Sequence, residues 1–257
     1  MNRINKLFQT RKGKILSIYF TAGYPSIDST VEILKALEAA GADMVEIGMP
    51  FSDPVADGPV IQNSSQQALN NGMSVKLLFR QLENIREQVN IPLLLMGYLN
   101  PVVHFGINEF CMKCEEVGID GVILPDLPAD VFVEEYSYDF KRHNLHNIFL
   151  ITPRTTESRI HEIDKLSDGF IYMVSSASTT GARDSFSAKD VEYFSRISKM
   201  RLNNNCLVGF GVSNKKTFSQ VCDYTSGAII GSAFVKMLNE KGTGSKGIKN
   251  FIDAIRQ

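Results

Sequence analysis

A closed (β/α)8 barrel of the TIM type is the fold this sequence predicts, and three observations carry the prediction. Eight short apolar runs rich in β-branched residues alternate with eight amphipathic stretches from one end of the chain to the other. Most of those runs are continuously hydrophobic, as strands covered on both faces are. The length of 257 residues, 44% of them hydrophobic, suits one α/β barrel domain spanning 1–257, since such barrels commonly take roughly 250 residues. A doubly wound open sheet is the competing architecture, and an even rhythm of eight strands disfavours it.

A short N-terminal helix precedes the first strand, Ile15 to Thr21. The other strands are expected at Met44 to Gly48, Pro92 to Tyr98, Gly121 to Pro125, Asn147 to Thr152, Phe170 to Ser175, Cys206 to Phe210 and Gly227 to Ile230. Helices are expected at Ser29 to Ala40, Ser74 to Glu87, Asn108 to Val117, Asp130 to His143, Ser158 to Leu166, Ala188 to Met200, Asn214 to Cys222 and Lys246 to Ile255. Gly41 and Gly118 stand where helices end and a left-handed residue is wanted. Pro25-Ser26, Asp130 and Ser213-Asn214 stand at helix starts, with side-chain oxygens available for capping. The stretch Lys241 to Gly247 lacks the Gly-Lys-Ser/Thr ending of a phosphate loop and reads as a surface connection.

Charge and composition narrow the function. Lys+Arg 27 nearly cancels Asp+Glu 28, so nothing marks the surface for nucleic acid. The first residues lack the apolar stretch of a signal peptide, and no window approaches the ~20 apolar residues of a membrane span, so a soluble, cytoplasmic protein is expected. Four cysteines are too few for a disulfide framework. Cys111 and Cys114 have the spacing of a metal or redox pair, but no second pair of that kind exists and an ordinary helical pattern runs through them, so helix packing is expected. The histidines show no metal-ligand motif, and no metal is expected.

Chemistry enters with Glu46, an acid inside the apolar run Met44 to Gly48. A charge is expensive to bury without a partner, so such an acid has its pKa raised and can hold or release a proton near neutral pH. General acid/base work is the expected role. A core salt bridge, or an edge strand with its acid in water, are the alternatives. In a barrel, reactive groups lie at the C-terminal ends of the strands and on the loops beyond them. Thr21, Glu46, Asp57, Tyr98, Asn100, Asp126, Thr152, Tyr172 and Ser175 all fall at or near such ends. Gly209-Phe210-Gly211 after the seventh strand and Gly231-Ser232-Ala233 after the eighth each open a helix, an arrangement that suits a phosphate. The small, polar run around 175–188 reads as a lid loop, in which Gly181 adds a backbone donor to the phosphate.

With Val45-Glu46-Ile47-Gly48, Pro50-Phe51-Ser52-Asp53-Pro54, Ala56-Asp57-Gly58-Pro59-Val60-Ile61-Gln62, Leu95-Met96-Gly97-Tyr98-Leu99-Asn100-Pro101, Pro125-Asp126-Leu127-Pro128, Gly209-Phe210-Gly211-Val212-Ser213 and Gly231-Ser232-Ala233 in order, the chain resembles the tryptophan synthase alpha chain family over nearly its whole length. The resemblance implies retro-aldol cleavage of indole-3-glycerol phosphate to indole and glyceraldehyde 3-phosphate. It casts Glu46 as the acid/base, Asp57 as the second acid holding the indole N–H, and Tyr172 as the tyrosine beside the glutamate. Phe20, Tyr98, Ile123 and Phe210 match positions that wall the indole pocket, with core packing as the alternative for each. Thr180 belongs to the lid element, and Gly181, Gly211, Gly231 and Ser232 match the phosphate cradle. No cofactor is implied for this chain. The family works in an α2β2 heterotetramer with a beta chain that carries pyridoxal phosphate, and Asp53, Pro54, Asn100, Pro101 and Asp126 fall where that partner docks. One departure is visible: Ser176 to Gly181 lacks the family's usual lid glycine and arginine. From the residues alone, a non-catalytic activator of the partner and a sugar-phosphate isomerase remain as other classes.

Overall fold

The computed structural model describes residues 1–175 and 185–257. In chain order its elements are α1 (Arg3–Thr10), β1 (Ile15–Thr21), α2 (Ser29–Ala40), β2 (Met44–Gly48), α3 (Pro59–Asn70), α4 (Val75–Gln81), a 3-10 turn (Ile85–Glu87), β3 (Leu93–Met96), α5 (Leu99–Phe105), α6 (Ile107–Val117) and β4 (Gly121–Ile123). There follow α7 (Ala129–Val131), a π-helical turn (Phe132–Tyr136), α8 (Ser137–Arg142), β5 (His146–Asn147), β6 (Leu150–Ile151), α9 (Glu157–Leu166), β7 (Phe170–Val174), α10 (Ala188–Lys199), β8 (Asn205–Gly209), α11 (Lys215–Cys222), β9 (Gly227–Ile230), α12 (Ser232–Lys241) and α13 (Ser245–Arg256).

All strand pairs are parallel, in the order β5-β4-β3-β2-β1-β9-β8-β7-β6. The two ends of that order are one stretch of chain. His146–Asn147 pairs with β4, Leu150–Ile151 pairs with β7, and the residues between bond to both sides, Ile148 N–H to Val122 O at 2.9 Å and Tyr172 N–H to Phe149 O at 2.9 Å. The expected fifth strand, Asn147 to Thr152, is therefore two short pieces that close the cylinder.

Alternate residues of each strand point to opposite faces, and the two faces build two cores. Inside the barrel lie Ile15, Met44, Leu94, Ile123, Ile148, Phe170, Tyr172, Leu207 and Ile229. Between barrel and helices lie Leu16, Ile18, Phe20, Val45, Ile47 and their neighbours. Each fully buried Ile, Leu or Phe of these layers contributes about 1.5–3 kcal/mol.

Local signals explain most boundaries. α2 and α6 stop at Gly41 and Gly118, both left-handed at φ +92° and +80°. Asn214 caps α11 in a reciprocal box with Thr217. Other expected boundaries shift. Asp28 takes the N-cap of α2, and Asp130 falls in the first turn of α7 behind Pro128. The helix expected from Ser74 to Glu87 breaks after Gln81, where Asn84 turns left-handed at φ +60°. The one expected from Asp130 to His143 is interrupted by the π turn. Helices α3, α5 and α12 are additions to the eight expected helices, although the sequence predicts a helix start after Gly231.

The N-terminal end of the barrel is sealed by α1 and two buried aspartates. Ile4 of α1 inserts into the interior core, and Phe8 meets Phe170 at 6.0 Å between ring centroids. Asp43 accepts from Leu16 N–H at 2.8 Å and pairs with Arg256 and Arg11. Asp120 accepts from Leu93 N–H at 2.9 Å and pairs with Arg86 at 2.6 Å and Arg3 at 3.1 Å. Replacing Asp120 by Ala leaves the largely buried Arg86 without its carboxylate, and a broken pair of this kind costs about 3 kcal/mol. Urea denaturation should show that loss as a lower midpoint with an unchanged slope, and any activity at the opposite end of the barrel should be unaffected at temperatures where the variant stays folded.

Candidate active site

The inward positions of β1 and β2 place three polar side chains in the barrel: Ser17 and Tyr19 on one strand, Glu46 on the next, with Tyr19 in register with Glu46. Glu46 is fully buried. Its Oε1 accepts a hydrogen bond from Ser17 Oγ at 3.0 Å, and its Oε2 has no hydrogen-bond partner among the described residues. Burial disfavours the carboxylate and pushes its pKa up to about 8, with the Ser17 bond opposing the rise.

Two glycines let phenols approach this acid. A Cβ on Gly48, the next inward position above Glu46, would overlap the hydroxyl of Tyr19, and a Cβ on Gly209 would overlap that of Tyr172. Tyr19 thus lies against β2 and Tyr172 against β8, both near enough to Glu46 to feel its charge. Burial raises both phenols above their ordinary range, and the charge of Glu46 adds to each shift, so both stay neutral donors.

Asp57 sits on the loop after β2, at the rim. Its Oδ2 accepts from Tyr98 Oη at 3.2 Å, and Tyr98 Oη accepts from Ala56 N–H at 3.0 Å. Phe51 stacks on Tyr98 at 5.0 Å, and Gln62 Nε2 donates to Asp57 O at 2.9 Å, so the loop is fastened from both sides. Burial pushes Asp57 up to about 6, with the Tyr98 bond opposing.

The phosphate-type loops face the same space. Phe210 and Gly211 are both left-handed, at φ +67° and +79°, and a non-glycine residue held there stores strain of about 1 kcal/mol or more. Ser175 Oγ steadies the turn by donating to Phe210 O at 3.0 Å. The two helix starts differ. That of α11 is closed on itself, since Ser213 and Asn214 N–H groups both donate to Thr217 Oγ1 and Thr217 N–H donates to Asn214 Oδ1. That of α12 has no side-chain cap, and its first N–H groups, at Ser232 and Ala233, lack intrahelical acceptors, as the first turn of any helix does. Of the two, the α12 start has the arrangement that suits an anion.

A cleft collects these pieces: Tyr19, Asp57, Tyr172, Phe210, Gly211, Ser213, Gly231 and Ser232 all line it. A wider one of about 550 Å³ continues outward past Phe51, Tyr98, Thr152 and Arg154. Of the residues expected from the sequence, Asp57, Tyr172, Phe210, Gly211, Gly231 and Ser232 come together in the first cleft, Tyr98 lines the second, and Glu46 is fully buried and lines neither.

Two expected pocket residues stand elsewhere. Phe20 is a correction: it points out of the barrel into the core under the helices, because its parity on β1 is opposite to that of Ser17 and Tyr19, and Tyr19 takes the pocket position. Ile123 is inside the barrel but fully buried in the interior core and lines neither cleft. Thr180 and Gly181 lie outside the described residues, as does most of the expected lid. Ser17 and Tyr19 are not among the residues expected from the sequence. The alternation Ser17, Tyr19, Thr21 of polar residues in an otherwise apolar strand is the signal that marks them.

Asp53 and Pro54 lie on the loop after β2, Asn100 and Pro101 in the first turn of α5, and Asp126 on the loop after β4. Asp126 accepts from Leu99 N–H at 3.0 Å and so caps α5, tying the loop after β4 to that helix. Val55 beside them is 86% exposed. Among the described residues no group of three or more His, Cys, Asp or Glu side chains could hold a metal, and no helix is long and apolar enough to cross a membrane. Cys111 and Cys114 are buried on α6, where desolvation pushes the first thiol up to about 12 and makes it inert.

Known proteins share this arrangement. The family model described as tryptophan synthase alpha chain matches residues 6–254. Tryptophan synthase alpha chains of Flavobacterium psychrophilum and Bacteroides thetaiotaomicron are 56% and 54% identical over 99% and 100% of this chain and the whole of each relative. A crystal structure of tryptophan synthase subunit alpha from Legionella pneumophila superposes with a TM-score of 0.90 at 31% identity, covering 100% of this chain and 98% of that one. One of tryptophan synthase from Mycobacterium tuberculosis gives 0.89 at 30%, covering 99% and 96%. With a family match across almost the full length and relatives above half identity, the chain belongs to the tryptophan synthase alpha chain family.

Proposed function

We propose that Glu46 and Asp57 divide the proton and charge work of the retro-aldol cleavage of indole-3-glycerol phosphate to indole and glyceraldehyde 3-phosphate. That is the reaction of this family's alpha chain in tryptophan biosynthesis, which the chain catalyses as a carbon–carbon lyase. The observation that carries the assignment is the single cleft in which Asp57 and the Gly211, Gly231 and Ser232 loops meet above a buried acid.

The steps follow from the protonation states. Glu46 starts neutral and gives its proton to indole C3, leaving positive charge on the ring nitrogen. Asp57, ionised, accepts the indole N–H and stabilises that cation. The Glu46 carboxylate then takes the proton of the glycerol hydroxyl next to the breaking bond, whose electrons return to the ring; indole leaves, the hydroxyl carbon becomes the aldehyde, and Glu46 is neutral again. Two carboxylates in different environments take different roles. Tyr172 borders both acid and substrate, Tyr98 and Phe210 wall the ring, and Gly211, Gly231 and Ser232 with the α12 start hold the phosphate, joined by Gly181, while Thr180 serves substrate binding from the lid element.

The alpha chain of this family has a beta-chain partner, and pyridoxal phosphate belongs to that beta chain. We assign the docking face to Asp53, Pro54, Asn100, Pro101 and Asp126, in an α2β2 heterotetramer working in the cytoplasm. Exposed Val55 beside Asp53 and Pro54 supports this face. Mixing the purified chain with indole-3-glycerol phosphate, alone and with a beta chain, and assaying indole tests the reading; silence in both would sink it.

A pH profile follows from the two acids. Activity requires Asp57 ionised and Glu46 protonated, so kcat/KM should rise through about pH 6 and fall through about pH 8. A plateau extending well beyond the alkaline limb would show that Glu46 does not start as the acid.

A further inference from the structure

The barrel interior holds a hydroxyl that the steps above leave unused. Ser17 is fully buried on β1, one inward layer below Tyr19. At its own level its register partners are Met44 on β2 and Ile229 on β9, both apolar members of the interior core. Packing at that level asks for no polar atom, and burying a hydroxyl among apolar side chains is unfavourable unless it is used. Its Oγ donates to Glu46 Oε1 at 3.0 Å, while Oε2 stays unpartnered.

We propose that Ser17 is the positioning residue of the acid–base step: it holds Glu46 through Oε1, leaves Oε2 to carry the transferable proton, and stabilises the carboxylate once that proton has gone. This deepens the assignment of Glu46 and rests on it. In the neutral acid, an oxygen that already accepts from Ser17 takes the carbonyl role, so the proton resides on Oε2. When the proton moves to the substrate, the Ser17 bond becomes charge-assisted and strengthens. An interaction stronger in the charged intermediate than in the starting state lowers the barrier.

The other titratable groups that sense Glu46 are Tyr19 from β1 and Tyr172 from β7; β3 presents Leu94. Both phenols are held neutral by burial, and Ser17 is the group that opposes burial at Glu46. Removing the Ser17 hydroxyl therefore raises the Glu46 pKa further.

The test is the Ser17→Ala variant assayed in complex with a beta chain. The alkaline limb should move up by about one pH unit and kcat should fall about tenfold with KM within about twofold, the effect of losing one hydrogen bond to a charged group. Ser17→Thr, which keeps the hydroxyl, should restore both. Titration of carbon-13-labelled glutamate carboxyls, with Glu46→Gln to identify the signal, should show the same upward shift in Ser17→Ala without relying on turnover. An unmoved limb and an unmoved carboxyl titration in Ser17→Ala, with Glu46→Gln inactive, would overturn the role of Ser17 alone. An active Glu46→Gln would overturn the underlying assignment as well.

Discussion

Exchanging Glu46 for Gln is expected to lower indole release by about 10⁴-fold, the upper end of what a positioned proton donor contributes, because one side chain serves both transfers. The substitution is nearly isosteric, and its amide oxygen can still accept from Ser17 Oγ, so the barrel around it stays filled. What the amide cannot do is give a proton to C3 or take one from the hydroxyl. Glu46 is buried and is not one of the residues that line the cleft with the Gly211, Gly231 and Ser232 loops, so affinity for the phosphate end should be retained. Competition by glyceraldehyde 3-phosphate, measured calorimetrically in wild type and variant, checks that half of the expectation. Near-normal indole release from the variant would refute the assigned role.

The acid in β2 was legible because it interrupts an apolar run of five residues with a group that is costly to bury. The glycine turns after the seventh and eighth predicted strands were legible for a related reason: each follows a hydrophobic strand and opens a helix. Which face of a strand carries which residue was not. In β1 nearly every residue is buried, inward and outward alike, so hydrophobicity does not reveal parity, and Phe20 read as a pocket residue in place of Tyr19. Strands covered on both faces lose the alternation that would settle this, and only the polar positions Ser17 and Tyr19 preserve it.

Helix α3 hides for a different reason. Its buried face is Ile61, Ser64, Ser65 and Ala68, a helical spacing made of small and polar side chains that gives little hydrophobic signal. Gly48 and Gly209 carry information that no local pattern contains. Each ends an ordinary strand, and only the three-dimensional path of Tyr19 and Tyr172 across the neighbouring strand explains why a side chain there is excluded.

Asp57→Asn should cost about 10²–10³ in kcat, the range for removing one electrostatic partner from a developing charge. The amide keeps an oxygen that can accept from Tyr98 Oη, and the Gln62 bond is made by the backbone, so the loop has no reason to move. The lost element is the negative charge facing the indole N–H. It matters most once C3 is protonated, so KM should change far less than kcat. The pH profile separates Asp57 from its competitor. A substrate phosphate also titrates near 6, in the same region as Asp57, so the acid limb of the wild type has two sources. In the Asn variant only the phosphate remains. If Asp57 sets the acid limb of kcat, the limb vanishes from the variant and the fall through about pH 8 persists, because Glu46 is untouched. A limb that survives the substitution at full size would assign it to the substrate and remove Asp57 from the charge-stabilising role.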